Sequence, residues 1–351
     1  TTTAQAGVLE NTPRLNYTTG VTNPYLLLEP SRTNFIDSSE YAGGWAGINA
    51  NITTTNNATT SPEGVDNAVK LEDITTSSSN QIVNFGSDLG GINVVGKTYT
   101  GSIYIKPVNP SDAGKDILLS IQRNFGDYEG LNVIFEIDSA DWKRYDLTYT
   151  FTGAGAGDQV GAVLKILKAD TTIDDIYVYG AQLEESSFLT SYIPTYSVSA
   201  TRAYDYIKYI DLQSKGIITA SQGTFLTEMD NYNFSAVQLD VQSPNLDYAL
   251  RSTFRENHLD IFKRVNGVQT LVRQIFGLPA GRRIVAMSWN GTSLITSVNG
   301  VSYTDTIDGS IAAELFKIDR PNFNGTIFDL NQLLMFSTQL TEAELNTLTT
   351  L

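Results

Sequence analysis

GAQLEESSFLTSYIPT, residues 180–195, lies just past the middle of a 351-residue chain and has the form of an ending. The residues before it, Tyr177-Val178-Tyr179, alternate like a strand. Ile193-Pro194 near its close favours extended or turn backbone. A terminator at this place divides the chain: one β module closes here and another follows.

Composition agrees with that division. A chain of this length has room for about two domains, and 41% hydrophobic residues are enough for packed cores. Lys plus Arg number 23 against 38 Asp plus Glu, a formal net charge of −15. Such a charge opposes non-specific binding of the whole chain to DNA or to an anionic membrane, and it favours solubility. Cysteine is absent, which removes disulfide frameworks and thiolate chemistry. No apolar run reaches the roughly 18 residues of a membrane-spanning helix. The chain begins at Thr1 rather than Met, so it reads as a fragment, a processed product or a cloned piece.

Short alternating stretches between Gly/Asn/Asp/Ser clusters point to an all-β protein. Residues 1–24, with Pro13 and Pro24, read as an extended arm. A first strand is expected at the start of 25–36, and turns at Glu29-Pro30 and at 61–64 (SPEG). Residues 43–60 are polar around one aromatic, Trp45. Strands follow at 68–74, 81–85, 97–107, 116–123, 131–138, 143–152, 162–168 and 172–184. In 97–107 the spacing puts Tyr99, Gly101, Ile103 and Ile105 on one face. This count suits a jelly-roll sandwich, closed by the stretch quoted above. Residues 196–211 read as a bridging strand. A second β pattern begins at 223, with Asn-Gly at 266–267, 290–291 and 299–300 marking tight hairpins. TEAELNTLTTL, 341–351, is the one convincing helix. It has Thr341 and Glu344 as a capping box and Leu345 and Leu348 as its apolar face. The expected architecture is two antiparallel β-sandwich jelly-rolls in series with a short C-terminal helix. The expected bounds are 1–24 arm, 25–200 first sandwich, 201–216 linker and 217–351 second sandwich.

Seven phrases occur in order in the first half: LLLEPSRTNFI (26–36), Trp45, SPEG (61–64), YTGSIYIK (99–106), WKRY (142–145), IYVYGAQLEESSFLTSYIPT (176–195) and TRAYD (201–205). Together they resemble the carbohydrate-binding-like jelly-roll of bacteriophage virion proteins: tail fibres, head fibres and head spikes. ENTPRLNY (10–17) is similar to the arm that precedes that module. MSWNGTSLITSVNG (287–300) and residues 323–351 resemble a concanavalin-like or laminin-G-like lectin sandwich. The resemblance implies a non-catalytic virion protein on the phage particle, a homo-oligomer with a trimer favoured. It would adhere to bacterial surface glycan or to other virion proteins. It also implies a structural Ca²⁺ held by Asp174 and Asp175 with Glu29 as partner; the alternative is that the aspartates cap a turn.

Sugar rings stack on aromatics, and their hydroxyls need Asn, Asp, Gln and Arg. Trp45 in its polar loop and Tyr128 in RNFGDYEG are therefore candidate platforms, with core filling the alternative for Trp45. Residues 251–283 carry seven bases against Glu256 and Asp260. Arg251, Arg255 and Arg273 share strand parity, so they are expected on one solvent face, for glycan or for a neighbouring copy. EIDSAD (136–141) approximates a glucanase signature. Retaining glycosidases need carboxylates about 5–5.5 Å apart across the bond, and Glu136 and Asp138 are neighbours on one strand. A polar strand end is the plainer reading. His258, the only histidine, sits in an expected turn without a nucleophile motif. Nucleotide motifs are missing, and the basic window lacks the interleaved aromatics of a nucleic-acid site.

Overall fold

Alternation in Thr98–Pro107 shows how the first sandwich is built. Tyr99, Ile103 and Ile105 are fully buried in one core. Gly101 shares that face because a Cβ there would stand 2.9 Å from Leu164 and 3.1 Å from Ile121. The computed structural model describes residues 15–16, 24–86, 93–123, 129–153, 162–231, 237–307, 311, 314–319 and 328–350. Ser31–Ala203 forms one compact unit, and Tyr204–Leu351, joined by the stretch ending at Pro30, forms the other.

The first unit has two five-stranded antiparallel sheets. One runs Gly130–Glu136, Asp116–Arg123, Ala162–Leu167, Gln81–Gly86, Gly47–Ile48; the other runs Lys143–Thr150, Thr98–Pro107, Ile176–Glu185, Asp66–Glu72, Thr53–Thr60. From Asp66 to Glu185 each strand changes sheet, except at the hairpin joining Asp116–Arg123 to Gly130–Glu136. That wrapping is a jelly-roll. The last strand, Ile176–Glu185, lies between Thr98–Pro107 and Asp66–Glu72, so the terminator does end a sandwich strand. Thr53–Thr60 is a strand that the sequence reading leaves as polar loop. Among the described residues TTTNNATT pairs only with Asp66–Glu72, and it buries no side chain, so it has no apolar alternation to read.

The second unit packs a seven-stranded sheet on a six-stranded one. The first runs Leu15–Asn16, Tyr25–Leu28, Phe328–Phe336, Gln222–Asn231, Gly281–Asn290, Ser293–Val298, Val301–Thr306; the second runs Ile207–Tyr209, Leu315–Asp319, Val237–Gln242, Ala249–Phe254, His258–Val265, Val268–Phe276. Tyr25–Leu28 therefore does not open the first sandwich. It pairs with Phe328–Phe336, and Leu28 is buried in the second core. Local sequence gives a strand there but not its partner. The expected bridging strand is likewise two strands. Ala200–Arg202 pairs with Arg32–Asn34 in the first unit, and Ile207–Tyr209 pairs with Leu315–Asp319 in the second.

Asn266-Gly267 and Asn299-Gly300 have positive φ at both residues, the conformation of a type I′ hairpin. Asn290-Gly291 does not, since only Gly291 is positive. Glu342–Thr349 is helical with the expected capping box. Its inward face is Leu345, against Leu226, Ile284 and Ala286, together with Thr349, whose hydroxyl meets Ser297 Oγ at 2.8 Å. Leu348 is 39% exposed and belongs to the outer face.

Candidate functional site

The phrases of the first half interlock around residues 186–196. Asn34 Nδ2 donates to the carbonyls of Ala181 (3.1 Å) and Ile193 (2.9 Å), and its Oδ1 accepts from the N–H groups of Ile36 and Leu183. Glu184, fully buried, accepts from Thr190 N–H (2.9 Å), Thr190 Oγ1 (2.7 Å) and Gln182 Nε2 (3.0 Å). Arg144 Nη1 donates to Thr190 O, and Arg202 Nη1 to Ser191 O. Glu40 accepts from the phenols of Tyr192 (2.8 Å) and Tyr179 (3.1 Å). Burial raises the Glu40 and Glu184 carboxyls above their ordinary value, against the lowering effect of these bonds. GAQLEESSFLTSYIPT is thus a strap tied by side chains from both sides of it in the chain: Asn34, Glu40, Thr100 and Arg144 before it and Arg202 after it. Those polar residues are spent on holding the module together.

Trp45 belongs to that framework and is not a platform. It is 9% exposed, its Nε1 donates to Ser38 O at 2.9 Å, and its ring meets Phe85 edge-on at 4.9 Å. An aromatic in a Gly-rich loop looks exposed in sequence, but the loop folds the indole into the sandwich end. Tyr128 lies outside the described residues. Asp174 and Asp175 are joined by Asp73, the three carboxylates offering oxygens within 4.8 Å of one another. Glu29 is not one of the group; its N–H donates to Asp205 Oδ2 at 2.8 Å. Asp175 Oδ1 accepts from Asp73 N–H (3.0 Å) and Asp174 Oδ1 from Thr75 N–H (3.1 Å), which is a turn capped by its neighbours. Hard cations take such oxygens, so Asp73, Asp174 and Asp175 are the residues that could hold Ca²⁺.

Asp138 of EIDSAD is bonded to Lys143, whose ammonium holds the carboxyl below its usual range, and also accepts from Tyr145 Oη (3.3 Å). A general acid needs the opposite shift. Asp141 is almost fully in solvent.

The three arginines divide between two faces of the six-stranded sheet. Arg273 stands opposite Ile261 and shares its core side. It reaches Asp305 of the other sheet with both Nε and Nη2 at 2.7 Å and lies over the Tyr303 ring, closing the sandwich edge. Arg251 stands opposite Phe262, on the side turned away from the core. Parity holds along one strand; hairpin register and the irregularity at Ile261/Phe262 decide it between strands. One shared face for all three is therefore not what forms.

Arg251 and Arg255 sit within a polar network on the outer face. Arg251 grips Asp240 bidentately, Nε to Oδ1 at 2.6 Å and Nη2 to Oδ2 at 2.7 Å. Asp260 accepts from Arg255 Nε (3.0 Å) and Gln274 Nε2 (2.9 Å), with His258 Nε2 at 3.5 Å. Asp240 and Asp260 are only 2% and 3% exposed, being walled in by these partners. His258 is stacked on Phe276 with ring centroids 5.1 Å apart, and Phe276 is 64% exposed. Buried Arg283 holds the adjoining turn by donating to the carbonyls of Arg255 (2.8 Å), Glu256 (2.6 Å) and Pro279 (3.0 Å). The result is an exposed aromatic face beside fixed carboxylate–guanidinium pairs. Sequence reasoning found the arginines but missed Asp240, Asp260, Gln274, His258 and Phe276. The Asn266-Gly267 hairpin by itself would set Ile275 opposite His258; the irregularity at Ile261/Phe262 adds one residue and brings Phe276 there instead, so the stack could not be read from the hairpin.

No protein-family model matches the chain, and no curated protein matches it. Solved structures resemble parts of it. The carbohydrate binding module CBM66 from Bacillus subtilis is 11% identical over 33% of this chain and 76% of that one, with a TM-score of 0.29. Domain 4 of AbnA, a GH43 extracellular arabinanase from Geobacillus stearothermophilus, in complex with arabinotriose, is 15% identical over 43% and 77%, with a TM-score of 0.33. CG-16, a homodimeric agglutinin from chicken liver, is 8% identical over 37% and 99%, with a TM-score of 0.30. These neighbours are carbohydrate-binding and lectin-like β-sandwich domains. Each likeness covers less than half of this chain at low identity, so function is read from the chain's own surface.

Proposed function

We propose that this chain is a non-catalytic binding component of a bacteriophage virion, a tail fibre, head fibre or spike. It adheres to host-surface glycan through the outer face of the six-stranded sheet. The observation that carries the binding role is the exposed Phe276–His258 stack beside the Arg251–Asp240 and Arg255–Asp260–Gln274 pairs. A sugar ring laid on Phe276 presents hydroxyls that can accept from the half-exposed Arg255 guanidinium, which Asp260 holds in place from behind. Partners already held in place lose little freedom when the sugar arrives. The virion role is supported by the ordered phrases of the first half. On a particle, a homo-oligomer, with a trimer favoured, gains affinity from repeated weak contacts.

The test is a glycan array and a host-cell binding assay on the purified chain, with Phe276→Ala beside the wild type. The reading expects glycan and cell binding by the wild type and loss of both in the variant. No binding by a folded wild type favours a decoration protein that contacts other virion proteins instead.

A further inference from the structure

Six of the seven bases in residues 251–283 are engaged. Arg251, Arg255, Arg273 and Arg282 are ion-paired with Asp240, Asp260, Asp305 and Glu228. Arg283 is satisfied by backbone carbonyls, and Lys263 is buried with interactions of its own. Arg264 differs from all of them. Among the described residues it makes no ion pair, and its Nε is shut away from solvent without an acceptor. It stands opposite Ala249 on one side and Gln269 on the other.

Register puts Arg264 on the outer face. Ile261 belongs to the core, whereas Asp260, Phe262 and Arg264 alternate to the opposite side. Arg251 is therefore a diagonal neighbour of Arg264, at a spacing of about 7–8 Å that long side chains bridge. Gln269, on the strand beyond Arg264, accepts from Arg251 Nη1 at 3.3 Å, so these two side chains meet over the middle strand. The nearby acids are committed elsewhere, Asp240 to Arg251 and Asp247 to Asn245.

A guanidinium whose stem is packed and whose fork lacks a carboxylate is built for paired anionic oxygens. We infer that Arg264 is the specificity-determining residue of the proposed glycan face and that the glycan is acidic, its anionic substituent seated on Arg264 beside Gln269. This rests on the glycan-binding reading above and names its ligand class. A uronate carboxylate and a phosphodiester share the required chemistry.

The experiment measures binding of the purified full chain to three immobilised polymers: polygalacturonate, its carboxyl-reduced form, and poly(ribitol phosphate). Arg264→Gln and Arg264→Lys are measured beside the wild type. The expected result is that the wild type prefers at least one acidic polymer over the reduced one by about tenfold, the worth of one charge-assisted pair. The preference should weaken with added salt. Arg264→Gln should abolish the preference while keeping the unfolding midpoint, because no partner is lost; Arg264→Lys should retain part of it. Which acidic polymer binds identifies the source of the anion. Equal binding of the acidic and reduced polymers, or an unchanged preference in Arg264→Gln, overturns the inference and leaves the glycan-binding reading standing. Failure to bind any of the polymers, together with a blank glycan array, overturns both.

Discussion

The two sandwiches use the same polar residue types for different ends. In the first, Asn34, Glu40 and Glu184 turn inward beneath a strap and saturate backbone groups and phenols. In the second, Asp240, Asp260 and their arginines lie on an outer sheet face beside an exposed aromatic ring. The first arrangement fixes a shape; the second presents chemistry. The phrases that carry the resemblance mark a framework here, and the proposed ligand face falls instead in the basic window at 251–283.

The largest effect that could break this comparison is in the first core. Trp45→Ala should cost about 3–5 kcal/mol, as a large-to-small core change, read as a lowered unfolding midpoint of the first sandwich. Unchanged stability with lost glycan binding would make Trp45 a platform after all. Next is Leu28→Ala, expected to cost about 2–4 kcal/mol. Hydrogen exchange should report the loss in Phe328–Phe336, its partner strand, and not in Thr98–Pro107. Arg273→Ala removes a partly exposed bridge between sheets, so about 1 kcal/mol is expected, with glycan binding intact because Arg273 faces the core side.

The smallest effects are titrations of opposite sign. The Glu40 carboxyl is raised by burial, so its contribution to stability is full below the ordinary value of 4.5 and lost as pH rises through its folded value. Glu344 is lowered by its bonds from Thr341, so the capping box is present above 4.5 and lost as pH falls through its folded value. Acidification should therefore increase amide protection in the strap at 186–196 and decrease it in Glu342–Thr349. A common direction in both would undo the assignment.

Much of the β architecture was legible because alternation reports burial directly. Strand Thr98–Pro107, the closing strand Ile176–Glu185 and the Thr341 cap follow from local pattern. What was not legible depends on long-range pairing. Nothing within YLLL says that it pairs with a strand some three hundred residues later. Parity could not place Arg251 and Arg273 relative to each other, because hairpin register intervenes. Exposure also misleads for single aromatics: Trp45 in a Gly/Asn loop is buried, while Phe276 at the end of an alternating strand is open. The acidic cluster was half visible, since Asp174-Asp175 is local but Asp73 joins it only through the fold.

The most direct test of the central claim is a hydrogen-exchange footprint of the chain with and without the glycan that binds it best on an array. The account predicts protection confined to Ala249–Phe254, His258–Val265 and Val268–Phe276. Protection centred on the loop around Trp45 or on the strap at 186–196, with the six-stranded face unchanged, would contradict it.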